Sequence, residues 1–132
     1  MPAPAPYLHF AGSARAALEF YGQVFGGDVT VHSFQDFGRT DGPGHHVAHG
    51  ELQGPVTLFS ADIADGQRPF AAEGLLFSLL GTEEPSVLER WFAALSVDGE
   101  VIDPLQVREW GAHDGQVRDR HGVTWLIGYE GA

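Results

Sequence analysis

The sequence contains no cysteine, which excludes a disulfide framework, a thiolate metal site and a cysteine nucleophile, and which suits a reducing compartment. It also lacks any apolar run of the roughly eighteen residues needed to cross a bilayer as a helix. Met1 to Pro6 has neither the basic region nor the long apolar segment of a secretory signal. The expectation is a soluble, cytoplasmic protein. Positive charge is scarce: seven basic residues face eighteen acidic ones, for a formal net charge of −11. Such a surface repels phosphate backbones and anionic lipid, so neither nucleic acid nor membrane is expected as a partner. A cationic small ligand would be attracted, although an acidic surface is also a common device for solubility.

What is present fits one domain. The 132 residues are 43% apolar, enough for one core and too few for two independent domains. Tyr7 to Phe10 is a short apolar run broken by Gly12-Ser13. Behind it Ala14, Ala17, Leu18, Tyr21, Val24 and Phe25 recur at spacings of three and four, the signature of one helical face. Ser13 is placed to cap this helix and Gly26-Gly27 to end it, because glycine enters left-handed backbone without a Cβ clash.

Three strand-like stretches follow, Val29 to Phe34, His46 to Leu52 and Val56 to Ala61, separated by a loop over residues 38–44 and a turn at Gly54-Pro55. Asp62 to Glu73 is polar and reads as a linker. The order then recurs: a strand at Leu75 to Leu80, and a helix carrying Val87, Leu88, Trp91, Phe92 and Leu95 behind Pro85. Strands near Val101 to Glu109, Gln116 to Asp119 and Val123 to Tyr129 complete it. Leu18-Glu19 leading to Gly27-Asp28-Val29 is echoed by Leu88-Glu89 leading to Gly99-Glu100-Val101, and Val56-Thr57-Leu58 by Val123-Thr124-Trp125. The shared order predicts an α+β protein built from duplicated βαβββ halves, about residues 1–65 and 66–132.

Several segments carry a resemblance. Tyr7-Leu8-His9-Phe10-Ala11-Gly12-Ser13-Ala14, Ala17-Leu18-Glu19-Phe20-Tyr21 and Phe25-Gly26-Gly27 resemble the opening of PhnB-like proteins. Asp119-Arg120-His121-Gly122-Val123-Thr124-Trp125-Leu126-Ile127 resembles their end. Ala48-His49-Gly50-Glu51-Leu52 and Arg90-Trp91-Phe92-Ala93-Ala94-Leu95 fall between them in the expected order. Over nearly its whole length the chain is thus similar to the PhnB-like branch of the vicinal oxygen chelate (glyoxalase/bleomycin resistance/extradiol dioxygenase) superfamily. The resemblance implies a cup enclosed by two curved sheets with helices outside, and a homodimer. It leaves the reaction open, because the fold hosts lyases, isomerases, dioxygenases and metal-free sequestering proteins. Some PhnB-like sequences carry a ubiquinone methyltransferase label, but no glycine-rich nucleotide loop with a following ribose-binding acid is found here.

The resemblance further implies metal ligands on the first and last strand of each half. At those positions the chain offers His9, then Ser60 with the flanking Asp62. Leu75 to Leu80 holds no strong donor, and Leu126 stands about where a glutamate is expected. The usual four-ligand site is not assembled, so no metal or other cofactor is expected. A second constellation exists, because His49 and Glu51 are two apart on one strand and share a face. With His9 turned inward they would form a two-imidazole, one-carboxylate set suited to a divalent metal ion. The same His-Glu pair also suits acid-base work, or a hydrogen-bonded pair on a polar face or dimer seam.

The remaining candidates are weaker. Trp110 and His113, with Asp114, lie in a segment that relatives use to close over the cup. Phe59, Phe77 and Leu126, if turned inward, would give an apolar interior. Trp91 and Phe92 read as core, His45-His46 as exposed loop, and His32 as chemically idle. Val123, Trp125, Ile127 and Tyr129 share one face opposite Thr124 and Leu126, with no indication of which face is inward. The expected ligand contacts are His9, His49, Glu51, Ser60, Phe77, Trp110 and His113. The expected function is small-molecule binding without the usual metal site. The alternative is a divalent-metal-dependent lyase, isomerase or dioxygenase using His9, His49 and Glu51, and a regulatory module acting through the dimer surface ranks last.

Overall fold

All six positions of the first apolar stripe, Ala14 through Phe25, are buried, as their common helical face requires. The structure is a computed structural model that describes residues 3–131, and the chain divides into two compact units, Met1–Phe70 and Ala71–Ala132.

The first unit runs β1 (Tyr7–Phe10), α1 (Ala14–Phe25), β2 (Asp28–Ser33), β3 (Val47–Gln53) and β4 (Leu58–Asp62). Its sheet has the order β1-β4-β3-β2, with β1 and β4 parallel and the other pairs antiparallel. Alternation along the strands buries Leu8, Phe10, Leu52 and Leu58 under α1. Gly50 lets the helix come close, because a Cβ there would stand 2.5 Å from Leu18 Cδ1. The segment after β4 stays with this unit: Ile63 N–H donates to Phe10 O, and Phe70 N–H to His9 O.

The start of α1 departs from expectation. Ser13 makes no side-chain capping bond, although its carbonyl accepts from Ala17 N–H. The buried Asp62 carboxylate does that work from the end of β4: its Oδ1 accepts the N–H groups of Gly12 at 2.9 Å and Ala14 at 3.0 Å. A tertiary acceptor thus replaces the local cap, supplying charge-assisted bonds beside the helix N-terminus. Gly26 and Gly27 end the helix with φ of +81° and +115°.

The second unit repeats the plan as β5 (Phe77–Leu80), α2 (Pro85–Ser96), β6 (Glu100–Val107), β7 (His113–Arg118) and β8 (Thr124–Tyr129). Its sheet order, β5-β8-β7-β6 with β5 and β8 parallel, is that of the first unit. Leu88, Trp91, Phe92 and Leu95 of α2 are buried, as are Val117, Trp125 and Ile127 of the sheet. The face shared by Trp125 and Ile127 is therefore the helix-packed one. Asp119, also buried, accepts from His121 and Val123 N–H through Oδ1 and from Trp125 Nε1 through Oδ2, fixing the β7–β8 turn to the core. The two-module α+β architecture expected from the duplicated pattern is the one observed.

Candidate functional site

Alternation has a second consequence in the first unit. While even-numbered β1 and β4 residues turn toward α1, Tyr7 and His9 of β1, Phe59 of β4, and His49 and Glu51 of β3 share the opposite, helix-free face. Register brings them together, because Tyr7 and Glu51 are both cross-strand partners of Phe59. Tyr7 lies at the centre of the group. Its ring stacks on Phe59 at 5.9 Å between centroids, meets His9 edge-on at 5.3 Å, and lies 5.6 Å from His49. His49 itself stacks on Phe59 at 5.8 Å.

The polar link in this cluster is a 2.8 Å hydrogen bond between the Tyr7 hydroxyl and His49 Nδ1. Burial pushes the Tyr7 phenol above its ordinary value, with the Arg39 charge pulling weakly the other way, so the phenol keeps its proton at neutral pH. When the phenol donates to Nδ1, His49 carries its hydrogen on Nε2, which leaves that N–H for an incoming acceptor. Arg39 is held in place by bonds to both Asp41 oxygens, at 2.9 and 2.6 Å, and lies 4.3 Å over the Phe34 ring.

The alternative metal set does not gather. His9, His49 and Glu51 do share a face, but His49 Nδ1 is engaged by Tyr7, and Glu51 Oε1 accepts from Gln53 Nε2 at 3.3 Å. Among the described residues no group of three His, Asp or Glu side chains is arranged to hold a metal ion. The donor set therefore does not fit a divalent ion, which takes about three convergent protein ligands.

Two other expected contacts face away from this surface. Ser60 is 1% exposed on the α1 side, and its hydroxyl donates to the Leu8 carbonyl. Phe77 lies on the α2 side of the second sheet with its ring 5.6 Å from Trp125, whereas Leu126 alternates to the helix-free face. Trp110 and His113 do come together in the second unit, where they help line a hollow that also includes Tyr129. His45 and His46 contact each other edge-on at 4.7 Å in the loop before β3, and His32 stacks on Phe37 at the sheet edge.

Tyr7 is the member of this cluster that the sequence analysis did not single out. Its two-residue spacing from His9 was available as a signal, since i and i+2 in a strand share a face. Its hydrogen bond to His49 depends on β4 lying between β1 and β3, which local spacing does not encode.

Comparison with known proteins agrees with this architecture. Residues 5–127 match the family profile described as Glyoxalase/Bleomycin resistance protein/Dioxygenase superfamily. Protein YjdN of Escherichia coli (strain K12) is 26% identical over 137 residues, covering 92% of this chain and 91% of that protein. The crystal structure of protein PA1353 from Pseudomonas aeruginosa superposes with a TM-score of 0.79 at 29% identity, covering 100% of both chains. A Bacillus cereus structure described as a putative 3-demethylubiquinone-9 3-methyltransferase, PhnB protein, gives 0.77 at 18% identity, covering 99% of this chain and 100% of that one. At that identity the likeness speaks to the fold alone.

Proposed function

Because the chain belongs to the glyoxalase/bleomycin resistance protein/dioxygenase superfamily, we propose that it binds a small aromatic molecule bearing an oxygen acceptor on the helix-free face of its first sheet. The observation that carries this reading is the Tyr7–His49 hydrogen bond set within a cluster of aromatic rings. Phe59 and Tyr7 supply a stacking surface, and the Nε2–H of His49 supplies an oriented donor. Small-molecule sites combine apolar area with a few placed polar groups, and the polar group here is held by its own partner.

The reading assigns binding and orientation to these residues, not bond cleavage. Titration with acetophenone, followed by NMR of the His49 imidazole and the Phe59 ring, tests it. Saturable shifts at both residues that weaken in Phe59→Ala and His49→Ala support it, and unchanged resonances at high probe concentration reject it. Metal analysis of protein purified without a histidine tag separates the alternative: one tightly held divalent ion per subunit, lost in His49→Ala, would favour the metal-dependent reading.

The proposal includes a homodimer as the working species. Supporting it is the exposed apolar surface of the edge strand β6, where Val101, Ile102 and Val107 are 44%, 48% and 62% exposed. Sedimentation equilibrium reads the mass directly.

A further inference from the structure

At one end of the second sheet, the ends of β5 and β8 and the start of β7 surround a hollow of about 240 Å3. An apolar cavity of about 150 Å3 is enough to take benzene, so this space suits one ring with a short substituent. Its lining includes Leu80, Trp110, His113, Asp114, Tyr129 and Glu130. Trp110 is 73% exposed, an unusual cost for so large an apolar ring in a monomer unless something covers it.

The polar groups around the hollow are mostly acceptors. Asp114 and Glu130 bring carboxylates, and the lining includes neither lysine nor arginine. Arg108, the neighbouring cation, is already divided between Asp114 Oδ1 at 2.7 Å and Asp103 Oδ2 at 2.5 Å, which leaves Asp114 Oδ2 for another partner. His113 Nδ1 is buried and has no hydrogen-bond partner among the described residues. Leaving such an atom unsatisfied costs about 1–3 kcal/mol.

These groups are held in place before any ligand arrives. The His113 ring stacks on Tyr129 with centroids 4.7 Å apart and planes 16° from parallel. Tyr129 is anchored in turn, its hydroxyl donating to Glu89 Oε1 at 2.6 Å. The hairpin bearing Trp110 closes through Arg108 N–H to Ala112 O at 2.7 Å and Gly111 N–H to Arg108 O at 2.9 Å.

We propose that this hollow is a binding site for a small protonated aromatic amine. The ligand must bring positive charge and N–H donors, because the lining supplies the Asp114 and Glu130 carboxylates. An ammonium close to the Trp110 ring gains cation–π attraction, and its N–H groups donate to those carboxylates. The net charge of −11 draws a cation toward the surface at longer range. The proposal draws only on residues of the second unit, so its test can fail without the Tyr7–His49 reading failing.

A matched set of probes tests it: benzylamine, benzyl alcohol and benzoate, which share a ring and differ in charge. Binding is read by NMR at the Trp110 indole and the His113 imidazole of the full chain at neutral pH. Benzylamine is expected to give saturable shifts at both, weakened by added salt, with benzyl alcohol weaker and benzoate silent. Trp110→Ala and Glu130→Gln alter exposed side chains and so keep the fold, and the loss of the ring should weaken benzylamine about two- to fivefold. Benzoate binding as tightly as benzylamine would overturn the proposal. So would undiminished benzylamine affinity in Trp110→Ala, or shifts confined to His49 and Tyr7.

Discussion

Asp62 Oδ2 accepts the backbone N–H of Val47 at 2.8 Å, tying the last residue of β4 to the first residue of β3. The other oxygen of the same carboxylate holds Gly12 and Ala14. A single buried side chain thus fixes both the entry to α1 and the entry to the strand that carries His49.

Removing that carboxylate should be costly. Asp62→Ala leaves buried backbone donors without acceptors, each worth about 1–3 kcal/mol, and a destabilisation of about 3 kcal/mol or more is expected from urea denaturation. Asp62→Asn keeps one carbonyl oxygen and should lose only part of this. A loss below about 1 kcal/mol for the alanine variant would show that solvent replaces the carboxylate.

Gly50 stands between His49 and Glu51 and faces the helix. A Cβ there would lie 2.5 Å from Leu18 Cδ1 and 3.3 Å from Ser60 O. Gly50→Ala should destabilise the protein by about 1–3 kcal/mol through overpacking, with Leu18 shifting to make room. Pairing it with Leu18→Ala should return part of the loss, which a double-mutant cycle measures.

These two residues show where sequence reading reaches its limit. The span of α1 was legible because six apolar residues at three- and four-residue spacing leave one face to bury, and the repeated strand–helix order was legible because both halves solve the same packing problem. The co-facing of His49 and Glu51 followed from strand period alone. Which face carried the helix did not, because period two is blind to the sign of the alternation. That is why Ser60 and Phe77 were expected as ligand contacts and lie on helix-packed faces instead. The Asp62 cap was hidden for a related reason: its partners Gly12 and Ala14 are fifty and forty-eight residues away, whereas Ser13 occupied the local capping position.

Alkaline pH should destabilise the fold through its tyrosines. The Tyr7 phenol is raised by burial and the Tyr129 phenol chiefly by its hydrogen bond to Glu89. Both therefore contribute stability that is fully present below the unfolded value near 10.0. Above it the unfolded chain releases protons that the folded chain retains, and stability falls until the folded phenols ionise. The midpoint of thermal unfolding should drop more steeply above pH 10.0 in the parent than in Tyr7→Phe or Tyr129→Phe. Equal slopes would remove the phenols as the cause.

On the acid side the sensitive group is His121, in the β7–β8 turn. Burial lowers its value from the ordinary 6.5, outweighing the opposing pull of Asp119, and Arg120 lowers it further. A depressed histidine is neutral in the folded chain while the unfolded chain takes up a proton. Its contribution is present above the unfolded value of 6.5 and is lost as pH falls from there through the folded value. The window opens at 6.5, whereas the Asp36 and Asp41 carboxyls are lowered from 3.8. Thermal midpoints recorded between pH 8 and pH 5 should therefore decline in the parent and decline less in His121→Gln, which keeps polarity without a titrating proton. If the variant follows the parent curve, the turn is open enough for His121 to protonate in place, and the acid sensitivity belongs elsewhere.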